Sequence, residues 1–365
     1  MEEEKIYNIW LSSIRGVGYK TFYKLIEYFG DAKSVYNANY SEIRNAVGNE
    51  KLFNSIIENK KNDPYKYIEK LDNLNIKVYT ILDNDYPVQL KNIYDPPPVL
   101  YIRGNSDIKD EMNIAIVGSR NATSYGKEMA YRLAYELSQN GIRVVSGLAR
   151  GIDSFSHIGA LKGTGKTIAV LGCGVNIIYP KENEKLMKDI IENGAVVSEF
   201  PLDFEPLPGN FPARNRVISG LSLGVVVVEA QEKSGSLITA KFALEQGREV
   251  FAVPGNATSA YSRGTNELIK QGAKLVNDVN DILEEFNLRK DIVKRINDNR
   301  INFLNNEEKL IFEFINEAPR EINEIIEHTK INAGKVNYVL STLILKDLII
   351  KLPGNKFEKK YFDNF

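Results

Sequence analysis

Three short stretches of the chain carry residue types able to hold an anion. Gly118, Ser119 and Arg120 follow the apolar run Asn113–Val117 and precede a helix-like segment that begins near Gly126. A buried strand feeding a glycine turn and then a helix is how an open α/β sheet presents backbone N–H groups to a phosphate. An arginine at that turn adds a charged fork. The competing fate for Arg120 is an ion pair with Asp153 or Glu199. The second stretch, FPARNR, holds Phe211, Arg214, Asn215 and Arg216 and stands ahead of an apolar helix. A ring beside arginines is the composition of a single-strand nucleic-acid site, where aromatics stack on bases and cations meet the backbone. The competing reading puts Phe211 in the core and pairs at least one arginine internally. The third stretch, Ser234, Gly235 and Ser236, opens a helix after a strand ending at Glu229, a further anion-ready N-terminus. SGLARGID belongs with these: Gly147 turns out of a strand, and Asp153 is suited to cap the helix that follows. VPGNATSAYSRGTNELI supplies one more glycine-containing loop.

Other motifs dissolve on inspection. GTGKT at Gly163–Thr167 lacks the first glycine of a P-loop, because position 160 is Ala160, and it precedes a strand where a P-loop follows one. It reads as a helix-to-strand turn. GLSLG at Gly220–Gly224 fits G-x-S-x-G, but the strand and helix come in the wrong order for a nucleophile elbow, and the only later histidine is His328. It reads as a helix end. The dinucleotide fingerprint is missing after the first strand, and no acidic residue ends the second.

Composition narrows the chemistry. The 365 residues suffice for two or three domains, and 43% hydrophobic residues supply a large core. One cysteine, Cys173, leaves no internal disulfide and no cysteine-cluster metal site. Two histidines, His157 and His328, lie far apart and give little to a histidine metal site or hydrolase. No cofactor or metal is called for. The net charge of −1, from 47 basic and 48 acidic side chains, argues against non-specific coating of duplex DNA but permits a local basic groove. The absence of an eighteen-residue apolar run and the acidic start MEEEKIYNIW predict a cytoplasmic protein with no membrane span and no signal peptide.

The elements that must position these residues alternate. IRVVSGLA, TIAVLGCG, GAVVSEF, GVVVVEA and REVFAVPG read as strands with helical segments between them. Valine-rich runs without strict alternation suit parallel strands covered on both faces. Residues 76–286 are therefore expected to form an α/β domain, with IKVYTILD and VLYIRGN as sheet-edge strands around Asp95-Pro96-Pro97-Pro98. Residues 1–75 read as a helical module. Its Gly16-Val17-Gly18 turn resembles a helix-hairpin-helix that offers N–H groups to phosphate, or else an αα-hairpin whose glycines permit close packing. Residues 287–302 read as a linker. Residues 303–365 give three helices and a hairpin around Pro353-Gly354-Asn355, a winged helix whose mostly apolar third helix favours a protein partner over duplex DNA.

The ordered set GSR, SGLARGID with His157, GCGVNIIYP, SEFP, FPARNRVISGLS, SGSLITAKFALEQGREVFAVPG and GTNELIKQGA resembles the DNA-processing protein A family (DprA/Smf) across about residues 80–280. The resemblance implies an extended Rossmann-like, doubly wound, mostly parallel sheet between the two flanking modules. It also implies a non-enzymatic protein that binds single-stranded DNA, forms a homodimer and loads the RecA recombinase during natural transformation. Carried over residue by residue, the DNA pocket involves Gly118, Ser119, Arg120, Phe211, Arg214, Asn215 and Arg216, with Gly147 and Ser234 to Ser236. The alternative is a phosphoribohydrolase acting on nucleoside monophosphates. Its P-G-G-x-G-T-x-x-E pattern is broken here, where Pro254-Gly255-Asn256 stands apart from Gly264-Thr265-Asn266-Glu267.

Overall fold

The computed structural model describes residues 3–104, 108–109, 112–163, 166–286, 304–317, 319–346 and 348–359. The stretch 287–302, read as a linker, lies outside the described residues. The chain divides into two units, Met1–Ile282 and Leu283–Phe365.

The valine-rich runs do become strands. They are β1 (Ile76–Thr80), β2 (Val99–Gly104), β3 (Asn113–Val117), β4 (Arg143–Ser146), β5 (Thr167–Val170), β6 (Ala195–Ser198), β7 (Gly224–Val227), β8 (Glu249–Ala252) and β9 (Lys274–Leu275). They form one sheet in the order β1-β2-β6-β5-β4-β3-β7-β8-β9. From β6 to β9 every pairing is parallel, whereas β2 pairs antiparallel with β6 and with β1, as expected for an edge. The residues of β3 to β7 are all buried, which is why they lack alternation. The chain fills one side of β3 with β4, β5 and β6, then returns to the other side with β7, β8 and β9. The strand order therefore reverses between β3 and β7, and in such sheets the ligand crevice opens at that reversal, beyond the carboxyl ends of the strands.

Four helices matter for the crevice. They are α8 (Ser124–Gln139), α9 (Ile152–Lys162), α11 (Asn210–Gly220) and α12 (Gly235–Glu245). Two expectations are corrected here. FPARNR does not precede a helix but lies inside α11. Asp153 does not cap α9. The cap is Gly151 at φ 73°, where a Cβ would sit 2.3 Å from the Ser119 carbonyl oxygen, so only glycine allows the two turns to touch. GLSLG is the end of α11 running into β7, and Ser222 Oγ donates to the Ile218 carbonyl.

The N-terminal residues form six helices, α1 (Glu3–Ser13) to α6 (Pro64–Asn73), around Trp10, Phe22, Leu25 and Phe53. Ile6 and Ile9 of α1 and Ile68 and Leu71 of α6 pack with Val78, Val99 and Tyr101 of β1 and β2, so these helices and the sheet share the first unit. In the second unit, helices Asn306–Glu317, Ile322–Thr329 and Ala333–Leu345 enclose Ile311, Ile325, Val336 and Leu340. Strands Ile349–Leu352 and Lys356–Lys359 form the hairpin, with Gly354 and Asn355 at positive φ. His328 stacks on Phe314 there, centroids 3.9 Å apart.

Candidate nucleic-acid interface

A crevice of about 540 Å³ opens where the turn after β3, the turn after β4, one face of α11 and the start of α12 converge. Of the residues expected at the site, it is lined by Gly118, Ser119, Arg120, Phe211, Arg214, Asn215, Ser234, Gly235 and Ser236, while Gly147 borders a smaller recess beside Arg120 and Phe211.

The β3 turn is tied down before any ligand arrives. Ser119 N–H donates to the Glu229 carbonyl at 2.8 Å, and the Ser119 carbonyl accepts from Ile152 N–H. The buried Glu229 carboxylate accepts from Thr123 N–H at 2.9 Å and from Thr123 Oγ1 at 2.5 Å. Of the backbone N–H groups expected to face a phosphate at this turn, that of Ser119 is already used, and Ser119 can offer only its hydroxyl. Arg120, in contrast, is exposed and has no ion-pair partner among the described residues. Of the carboxylates considered for it, Glu199 is taken by Arg216 and Asp153 faces Arg214. Its guanidinium stands 5.4 Å from the Phe211 ring centroid.

The helical conformation of FPARNR sorts its side chains. Residues three, four and seven apart share a face of a helix, so Phe211, Arg214, Asn215 and Ile218 all line the crevice. Arg216, two residues from Arg214, turns about 200° away. There it is buried, with Nε 2.9 Å from Asp95, Nη2 2.6 Å from Glu199 and its guanidinium 5.3 Å from the Tyr19 ring. Arg216 is thus removed from the crevice set and becomes a cross-link between the helical module and the sheet. Burial raises the pKa values of Asp95 and Glu199, and the Arg216 charge opposes that rise.

Arg214 is half crevice wall and half scaffold. It lines the crevice, yet it is only 3% exposed and donates to the carbonyls of Gly147, at 2.9 Å, and Val170. Burial lowers its pKa to about 10, opposed by Asp153 and aided by Arg120. Gly147 is required by closeness, since a Cβ there would lie 2.7 Å from Arg214 Nη2. Asn215 Nδ2 donates to the Gly235 carbonyl at 3.3 Å, tying α11 to the start of α12. Ser234 caps α12 by accepting from Ser236 N–H, and the two hydroxyls lie 2.8 Å apart.

Among the crevice residues that the sequence reading did not single out, a cation and a ring stand out. Lys233 is an exposed cation immediately before the cap, visible in KSGSLITA beside the chosen serines. Tyr179 leans on Phe211, centroids 5.3 Å apart and planes 31° apart; it comes from GCGVNIIYP, whose glycines drew the attention. Cys173 is buried, which pushes its thiol up to about 11 and keeps it protonated at neutral pH. Glu267, the acid of the broken hydrolase pattern, lies outside the crevice lining and accepts from Gln271. Among the described residues no cluster of three or more His, Cys, Asp or Glu side chains could hold a metal, and no helix is long and apolar enough to cross a membrane.

Comparison with known proteins adds kinship to geometry. The profile of the family described as DNA recombination-mediator protein A matches residues 77–287. DNA processing protein DprA of Bacillus subtilis is 48% identical over 211 residues, covering 58% of this chain and 71% of its own. Protein Smf of Synechocystis is 32% identical, covering 98% of this chain and 99% of its own. The X-ray structure of DprA from Streptococcus pneumoniae superposes with a TM-score of 0.67 at 36% identity, covering 78% of this chain and 98% of that one. DNA processing protein A of Helicobacter pylori, solved for insight into its single-stranded DNA binding mode, superposes with a TM-score of 0.53 at 34% identity, covering 57% and 95%.

Proposed function

Since the chain belongs to the DNA recombination-mediator protein A family, we propose that it binds single-stranded DNA in the crevice between β3 and β7. The observation that carries this is the Phe211 ring, flanked by Tyr179 and by the guanidinium groups of Arg120 and Arg214. A ring accepts any base face, while the cations meet the phosphates on either side. Arg120 and Lys233 supply exposed charge, Arg214 a buried one, and the start of α12 supplies the Gly235 N–H and the Ser234 and Ser236 hydroxyls. The relatives and the family likeness support the wider role: a homodimer that shields incoming single strands and loads RecA recombinase onto them in natural transformation, without a chemical step of its own. A footprint of a few nucleotides is weak alone, so two copies on one strand gain avidity.

Fluorescence anisotropy of a labelled oligo-dT strand tests the reading. Wild type binds and duplex competes poorly. Arg120→Ala loses at least tenfold in affinity while its thermal melt stays put. A protein that ignores the strand but binds or hydrolyses a nucleoside monophosphate refutes it.

A further inference from the structure

The turns after β3 and β4 both line the crevice, and α8 and α9 leave it side by side. The two helices run in close contact at Gly159, where a Cβ would lie 2.3 Å from the Tyr131 carbonyl oxygen. Their outer seam is aromatic with cationic ends. Lys127, Tyr131 and Tyr135 recur every fourth residue on α8, while Phe155, Ile158 and Lys162 lie on α9. Lys127 Nζ stands 5.7 Å from the Phe155 centroid, and the Tyr131 and Tyr135 rings are parallel within 2°, centroids 6.3 Å apart. Tyr135 is 37% exposed, and Tyr131, Phe155 and Ile158 are half-buried. Among the described residues neither Lys127 nor Lys162 has an ion-pair partner. The acidic groups of α8, Glu128 and Glu136, occupy the adjacent row with Arg132, which pairs with Glu136 and donates to the Asn277 carbonyl.

None of these side chains lines the crevice, and none is fully buried. We propose that a single strand held in the crevice continues along this seam, its bases stacking on Tyr131 and Tyr135 and its backbone meeting Lys127. The seam begins at Phe155, two residues beyond Asp153 of the crevice lining. A four-residue helical step rises about 6 Å, so the side chains are offered at regular intervals to successive nucleotides. Interleaved rings and unpaired cations form a sequence-tolerant single-strand platform. The proposal rests on the single-strand reading of the crevice and sets the footprint and the exit path.

The test compares labelled dT6, a strand short enough to probe the crevice, with dT20. In the Tyr131→Leu/Tyr135→Leu double variant, dT20 affinity falls about thirtyfold or more, as the loss of two base–aromatic stacks implies, and dT6 stays within about twofold of wild type. The Tyr131→Phe/Tyr135→Phe variant keeps its rings and retains dT20 binding. Lys127→Gln reduces the salt slope on dT20 by roughly 0.7, one phosphate contact on a single strand. Unchanged dT20 affinity in the leucine variant overturns the seam while leaving the crevice standing. An equal loss on both lengths overturns it as a separate tract. A changed sedimentation coefficient with dT20 binding intact assigns the seam to a protein partner. A wild type that binds neither strand overturns both readings together.

Discussion

Thr167 Oγ1 donates to the Val144 carbonyl at 2.7 Å, so it can only accept from His157, whose Nδ1 lies 2.8 Å away. The proton of the neutral ring is therefore on Nδ1, and Nε2 is buried with no partner. Burial, with the Arg214 charge added, lowers the pKa of His157 from 6.5 to about 3. The unfolded chain binds this proton more readily than the folded one, so stability is intact above pH 6.5 and is lost as the pH falls toward 3. The loss is roughly 1.4 kcal/mol per pH unit inside that window, or about 2 kcal/mol at pH 5. His157→Gln keeps a donor toward Thr167 and carries no titrating ring. Urea unfolding at pH 7 and pH 5 should show wild type losing stability between the two, and the variant losing about 2 kcal/mol less. An equal acid loss in both proteins would assign the sensitivity to other groups. Beside His157, Arg214 shows why a crevice arginine need not be a simple ligand: its hydrogen bonds to Gly147 and Val170 brace the ends of β4 and β5.

Helix α11 serves two sites at once, and its periodicity decides which residue serves which. Phe211, Arg214 and Asn215 face the crevice, while Arg216 faces Asp95 and Glu199 at the junction with the helical module. Removing Arg216 leaves the partly buried Asp95 and Glu199 carboxylates without their cation, a loss approaching the roughly 3–5 kcal/mol that a fully buried pair would show. Arg216→Ala should therefore melt at a markedly lower temperature, while the fraction still folded binds oligo-dT as wild type does. Arg120→Ala should do the reverse. Calorimetry and anisotropy on the same two variants separate them; an Arg216 variant that loses DNA binding and keeps its melting temperature would return Arg216 to the crevice. This element also marks where sequence reasoning stopped. The strands were legible because a fully buried strand must be apolar throughout, and the GSR, SGLARGID and KSGSLITA turns were legible because glycine and serine have specific work at strand-to-helix junctions. FPARNR was misread as the approach to a helix. Pro212 is unremarkable in the first turn of a helix, but in sequence it argues for a break. Once the segment is taken as irregular, nothing separates Arg214 from Arg216. The hydrogen bond from Ser119 N–H to Glu229 was hidden for another reason: it joins residues 110 positions apart, and no local pattern announces it.

Across the whole chain, positive charge is available to a single strand only where acidic side chains have not already claimed it. The chain is nearly neutral, with 47 basic and 48 acidic residues. In the crevice, Arg120 and Lys233 have no acidic partner among the described residues. In the C-terminal unit the third helix carries Lys335, which pairs with Glu307 at 2.5 Å, and the residue capping its end, Lys346, pairs with Glu308 at 2.7 Å. Its exposed residues Tyr338 and Leu345 are 72% and 87% accessible, a surface better suited to another protein than to phosphate. Neutralising about three phosphates with Arg120, Arg214 and Lys233 gives a slope of roughly −2 in log affinity against log salt for a strand confined to the crevice. A chain lacking residues 304–365 retains every residue that lines the crevice. It should bind dT6 with that same slope and with affinity within about twofold of the full chain. A slope closer to zero by one unit or more in the shortened chain would mean that lysines of the C-terminal unit leave their glutamates to hold DNA, and the unit would then count as part of the strand-binding surface.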